Sequence, residues 1–235
     1  MTVQLKLNDI ETHIGQYHIL QGVTFEARKG EVTVLLGRNG AGKTTTLRTI
    51  MGLNPPSKGS IFYKGEGIEG LPTYSVAQKG IGYVPEDQGI FAGLTVEENM
   101  KVAMKNEDDE TKARLEWILG LFPDLKKFWK KQGGLLSGGQ KQMLSIARAY
   151  INDNDLLLID EPSKGLAPIV VEKVMETILQ MKEQTTIVLV EQNFIMASSI
   201  GDQFYIIDDG RTVSEGPMAQ LKEDADMRRK YLGIA

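Results

Sequence analysis

The chain has no cysteine, which excludes disulfide staples and thiol chemistry and agrees with a cytosolic setting. Histidine is nearly absent: His13 and His18 are the only two, so no later loop can offer an imidazole as a proton carrier. No apolar run approaches the ~18 residues of a membrane-spanning helix, and no charged-then-apolar leader opens the sequence. The chain is therefore expected neither to cross a membrane nor to carry a secretory signal. A formal net charge of −4 gives no electrostatic case for nucleic acid, and no internal repeat or low-complexity segment appears. What remains is 235 residues, enough to bury a full core as one domain.

Within that frame the segment Gly37-Arg38-Asn39-Gly40-Ala41-Gly42-Lys43-Thr44 carries the most chemistry. Gly37 and Gly42 let the backbone curl so that successive N–H groups point inward at a triphosphate. Lys43 then reaches the β and γ phosphates, and the Thr44 hydroxyl is placed for magnesium. The apolar run Glu31–Leu36 supplies a strand before the loop, and Thr45–Met51, free of Gly and Pro, supplies a helix whose N-terminus faces the anion.

Two further segments extend the site. Asp160 and Glu161 close the apolar run 155–159. Magnesium prefers oxygen ligands, so Asp160 fits as a second contact beside Thr44, and Glu161 would polarise the attacking water. The alternative is an acidic pair facing solvent at a strand end. Leu136-Ser137-Gly138-Gly139-Gln140 precedes a helix through Tyr150. Ser137 reads as its N-cap, and its hydroxyl with the Gly138 and Gly139 amides forms another anion site. One nucleotide already has its cradle at Lys43, so a second phosphate-binding helix start makes sense if it faces the γ phosphate held by another subunit.

With these three motifs in order, the chain resembles the ATP-binding cassette family over nearly its whole length. Pro85-Glu86, Thr95-Val96-Glu97-Glu98-Asn99, Glu161-Pro162-Ser163 with Gly165-Leu166-Ala167-Pro168, Val190-Glu191-Gln192-Asn193 and Tyr231-Leu232-Gly233 resemble the LivF-type ATPases of branched-chain amino acid importers. The resemblance implies an α/β fold: a P-loop NTPase, RecA-like core with an N-terminal antiparallel β-subdomain and an inserted α-helical signature subdomain. Residues 1–235 would be one domain, with about 1–94 and 151–235 as the nucleotide-binding core and about 95–150 as the helical lobe. It further implies ATP and Mg2+ as cofactors and a head-to-tail dimer. In that dimer each ATP lies between the Gly37–Thr45 loop of one subunit and Ser137–Gln140 of its partner, which is a sister ATPase or a second copy. Membrane-spanning permease subunits and, indirectly, a solute-binding protein complete the expected assembly, on the inner face of the cytoplasmic membrane.

The same comparison exposes departures. Most cassettes carry Gln where this chain has Glu86 and a switch histidine where it has Gln192; the LivF-type pattern shares both substitutions. Gln192 can donate a hydrogen bond but carries no proton, while Glu86 can bind magnesium yet repels a triphosphate. Turnover is expected to depend on Glu161, with Lys43 and Gln192 assisting. The adenine-stacking aromatic of the family is replaced by Ile14 before Gly15, which leaves Tyr17 as the stacking candidate, His13 as a second, or Tyr17 as an ordinary half-buried loop residue. Ile90, Phe91 and Leu94 on a Gly-flanked loop suit a socket for the membrane subunit, or else Phe91 belongs to the lobe core. The alternatives in function are an ATPase for urea or amide import or for lipid or polysaccharide export, and a non-hydrolysing nucleotide-gated module. Nothing resembles the long coiled coil of DNA-associated relatives.

Patterning supplies the remaining elements. Val3–Glu11 alternates as a strand, Gly59–Lys64 reads as another, and a parallel core is expected from Glu31–Leu36, Ile81–Pro85, Asp155–Asp160 and Thr186–Glu191. Asp209-Gly210 is a hairpin signal between Gln203–Asp208 and Arg211–Ser214. Thr95 with Glu98 forms a capping box, and a polar break at Asn106–Glu110 precedes a helix through Leu121. Lys126, Lys127, Lys130 and Lys131 are expected to form a solvated face offset by Asp108, Asp109 and Glu110, rather than to bind an acidic partner.

Overall fold

The computed structural model describes residues 2–234. In chain order, β1 (Val3–Ile14) and β2 (Tyr17–Arg28) form a hairpin, β3 (Val32–Leu36) leads through the glycine-rich loop 37–42 into α1 (Lys43–Ile50), and β4 (Lys58–Tyr63) and β5 (Glu66–Gly67) follow. Next come α2 (Thr73–Gln78), β6 (Ile81–Val84) and four helices, α3 (Val96–Ala103), α4 (Asp109–Leu121), α5 (Pro123–Lys127) and α6 (Gly138–Tyr150). The chain then alternates: β7 (Leu156–Asp160), α7 (Pro168–Lys182), β8 (Thr186–Val190), α8 (Phe194–Ile200), β9 (Gln203–Asp208) and β10 (Arg211–Pro217), followed by α9 (Met218–Glu223), α10 (Ala225–Met227) and a last π-helical turn, Arg228–Leu232.

Two sheets result. One is antiparallel in the order β2-β1-β4-β5; the other runs β10-β9-β3-β8-β7-β6, parallel except for β10. Every residue of β3, β7 and β8 is buried, which is why these segments read as unbroken apolar runs, as strands covered on both faces do. Leu5, Leu7 and Phe25 of the first sheet pack with Leu35, Leu158 and Val188 of the second. On the opposite face, Val34, Leu36 and Leu189 join Met100, Phe122, Tyr150 and Ile178 from the helices. Among the described residues, no helix is long and apolar enough to cross a membrane.

The structure extends or shifts several expected elements. β1 continues to Ile14 because Ile14 pairs with Tyr17 across a two-residue turn in which Gly15 has φ 59°. The hairpin at Asp209-Gly210 forms with φ of 45° and 72°, the left-handed pair of a type I′ turn. Its first strand, β9, also adds to β3 as a fifth parallel strand. The hairpin tip then braces the phosphate loop: the Gly210 N–H donates to Ala41 O at 2.9 Å, and a Cβ at Gly210 would sit 2.2 Å from Ile19 O. Capping boxes start both α3, from Thr95 and Glu98, and α6, from Ser137 and Gln140.

One expectation is corrected. The lysine cluster is not offset by Asp108–Glu110, because Asp108 caps α4 and Asp109 pairs with Lys112 at 3.0 Å. Its partners come from elsewhere: Glu116 for Lys126 at 3.6 Å and Glu97 for Lys130, while Lys127 and Lys131 lie over the Phe128 ring.

Candidate functional site

The carboxyl ends of β3, β6, β7 and β8 lie side by side in the parallel sheet, the edge at which open α/β sheets bind ligands. Each of these four strands contributes a segment singled out from sequence: Gly37–Thr45, Glu86, Asp160-Glu161 and Gln192. Gly37 has φ 147°, and a Cβ there would lie 2.1 Å from Ile207 O, so only glycine fits. α1 has no acidic residue in its first turn and no side-chain cap. Its leading N–H groups are thus left for an anion.

Lys43 is buried, and its Nζ donates to Gly37 O and Arg38 O, both at 3.0 Å, and lies 3.8 Å from Glu161 Oε1. Burial lowers its pKa, against the opposing pull of Glu161, Asp160, Glu191 and Glu86. The ammonium is folded back against the rim of its own loop. A cavity of about 300 Å³ opens beside it, lined by Asn39, Gly40, Gly42, Thr44 and Thr45 with Ile19, Glu86, Glu161 and Lys164.

Thr44 Oγ1 donates to Asp160 Oδ1 at 3.1 Å. Asp160 is fully buried, and its Oδ2 has no hydrogen-bond partner. Burial, reinforced by repulsion from Glu161 and Glu86, pushes the Asp160 carboxyl up to about 6 against the Thr44 hydrogen bond and the attraction of Lys43. An unpaired buried carboxylate oxygen beside a threonine hydroxyl is a fitting place for a divalent cation with oxygen ligands. Glu86 and Thr44 also line a second cavity, of about 450 Å³, with Arg48, Tyr83 and Asp160.

This arrangement predicts a pH dependence. The folded pKa of Asp160 lies above its unfolded value of 3.8, so the folded chain binds this proton more tightly. Its contribution to stability is fully present below pH 3.8 and lost as pH rises through about 6. Without divalent cation, the chain is expected to lose about 1 kcal/mol from this group between pH 5 and 7. Denaturant unfolding at the two pH values checks this, since Asp160→Asn should remove that increment.

Glu161 adopts φ 45°, a strained conformation for a side-chain-bearing residue and of the kind that concentrates at functional sites. Its Oε1 accepts from Gln192 Nε2 at 2.6 Å, and the same amide reaches Asn39 Oδ1. Gln192 therefore ties the phosphate loop to Glu161. Sequence reasoning missed what holds Gln192: Glu191 is buried, and its Oε1 accepts the N–H groups of Gln192 at 2.7 Å and Asn193 at 2.8 Å. Burial raises the Glu191 pKa against these backbone hydrogen bonds and the stabilising hydroxyl and amide of Ser163. A carboxylate directly before Gln192 was the available signal.

The remaining candidates lie elsewhere. Ser137 Oγ accepts from Gln140 N at 3.3 Å, and Ser137 N–H donates to Gln140 Oε1 at 3.0 Å. Neither Ser137, Gly138, Gly139 nor Gln140 lines the cavity beside Lys43. Tyr17 starts β2 and is 64% exposed, paired across the turn with Ile14. His13 stacks on His18 with ring centroids 4.1 Å apart and bonds Ser57. Adjacent strand positions point to opposite faces, so His13 projects away from Ile14 and Tyr17. Phe91 is 46% exposed under the Arg148 guanidinium, while Ile90 packs on the core. The loop they share is pinned by buried Asn99, which accepts from Phe91 N–H and donates to Phe91 O and Thr95 O, all at 2.9 Å.

Residues 20–164 match the ABC transporter family profile, and the match spans the phosphate loop, the Ser137–Gln140 segment and Asp160-Glu161. The chain belongs to the ATP-binding cassette family. It is an ATPase of the ABC transporter class, similar along its whole length to branched-chain amino acid transport ATP-binding proteins. BraG of Pseudomonas aeruginosa is 40% identical over 97% of this chain and 99% of its own. A probable LivF of Archaeoglobus fulgidus is 37% identical over 93% and 94%. The lipopolysaccharide export protein LptB of Haemophilus influenzae is more distant, at 32% over 92% and 91%. Among solved structures, the ATP-binding subunit of an ABC transporter superposes with a TM-score of 0.84 at 28% identity, covering 98% of this chain and 96% of that one.

Proposed function

We propose that this cassette ATPase energises import of branched-chain or other hydrophobic amino acids, bound to membrane-spanning permease subunits at the cytoplasmic face. The observation that carries the reading is the 40% identity, end to end, with a branched-chain amino acid transport ATP-binding protein. Export ATPases match less closely. A solute-binding protein would deliver the cargo, which this subunit does not touch.

In the proposed mechanism ATP lies with its β and γ phosphates on the Gly37–Thr45 loop, and Lys43 turns from its carbonyl contacts to the phosphate oxygens. Thr44 and Asp160, with Glu86 at the edge, would hold Mg2+, which when bound neutralises phosphate charge. Glu161 accepts the proton of the attacking water. Gln192 releases or shares the Glu161 carboxylate and donates to the γ phosphate. Tyr17 offers its exposed ring to adenine. The Ser137–Gln140 segment, which does not line the cavity beside Lys43 on its own chain, supports a second cassette subunit supplying this anion site in a sandwich dimer.

Phe91, exposed on a loop that Asn99 holds rigid, is the proposed anchor for the permease. Phe91→Asp is expected to leave basal ATPase activity within about twofold, and to abolish co-purification with polytopic subunits in mild detergent. Co-purification undiminished in this variant would refute the docking role. Recovery of polytopic subunits without a solute-binding system would refute import.

A further inference from the structure

The site gathers Glu86, Asp160, Glu161 and Glu191 around one buried ammonium, Lys43. A triphosphate entering this field adds like charge, and close charge pairs near a protein surface interact strongly. Of these four carboxylates Glu86 alone lines both cavities that share Thr44. A cation from a distant part of the sequence answers it. Lys164 pairs its Nζ with Glu86 Oε1 and lies 3.6 Å from Glu161 Oε2.

The loop after β7 aims this lysine. The Lys164 N–H donates to Glu161 O at 3.1 Å, the Leu166 N–H donates to Ser163 O at 3.2 Å, and Gly165 takes φ 70°. These tight turns fold the side chain back over the strand end from which it departs. Glu86, before Lys164 in the chain, comes from the end of β6, next to β7 in the sheet.

We propose that Lys164 is a positioning residue that neutralises Glu86 within the cavity wall, so that the carboxylate-rich cavity accepts a nucleoside triphosphate. The inference rests on the reading that this cavity takes ATP.

A double-mutant cycle on the full chain tests it, with ATP displacing a fluorescent ATP analogue in the presence of Mg2+. Lys164→Gln is expected to weaken ATP binding about fivefold, less at high salt because the pair is exposed to solvent. In a Glu86→Gln background, the same substitution is expected to change binding by less than about twofold. Thermal midpoints of all variants should stay together. Unchanged affinity in Lys164→Gln would overturn the proposal, as would an equal loss in both backgrounds, which would mean that Lys164 touches the nucleotide itself. Lys43→Met serves as the control: ATP binding that survives it would overturn the site reading as well, whereas its loss leaves the Lys164 result to stand or fall alone.

Discussion

Glu161→Gln is expected to abolish turnover while leaving ATP bound, lowering kcat on the order of 10²- to 10⁴-fold, the usual contribution of a positioned general base. The substitution keeps the volume and one acceptor oxygen, so the contact with Gln192 Nε2 at 2.6 Å can persist and the loop remains in place. What is lost is the capacity to take a proton, and no histidine is available to replace it, since His13 and His18 stack on each other in the β1–β2 hairpin and neither lines the cavity beside Lys43. Gln192 is an amide and cannot substitute. Nucleotide retained after gel filtration, set against phosphate release, measures the effect. Turnover within about twofold of wild type would remove Glu161 from the proposed mechanism.

Lys43→Met should act on binding rather than on chemistry alone. Methionine preserves the unbranched stem and fills the same buried space, but the two donated bonds to Gly37 O and Arg38 O have no successor. No charge then reaches the phosphates. Two charge-assisted contacts of ~1.5–3 kcal/mol each correspond to a loss of ATP affinity on the order of 10²- to 10⁴-fold. Isothermal titration with ATP and Mg2+ reads it directly. Affinity within about threefold of wild type would refute the placement of the nucleotide's phosphates beside Lys43.

Much of the fold was legible because its signals are local. Strands β3, β7 and β8 announce themselves as short apolar runs, since both faces are covered. The caps at Thr95 and Ser137 are visible because a capping box depends on residues three apart. Misreadings arose where pairing partners are distant. Lys126 and Lys130 have acids nearby in the sequence at Asp108–Glu110, yet pair instead with Glu116 and Glu97. Glu191 was passed over as a functional group because its significance lies in burial and in the backbone N–H groups it accepts.

By itself the sequence determined the family, the glycine-rich Gly37–Gly42 turn between strand and helix, the acidic strand end and the Ser137–Gln140 helix start. Each is a short motif whose chemistry follows from residue type and spacing. Only the tertiary structure decided which charges meet: that Asp160 keeps an unpaired buried oxygen beside Thr44, that Gln192 bridges Asn39 and Glu161, and that Lys164 lies against Glu86. The reason is physical. A hydrogen bond or ion pair depends on separations of a few ångströms, and in a parallel sheet the strand ends that share a site are brought together by crossovers long in sequence.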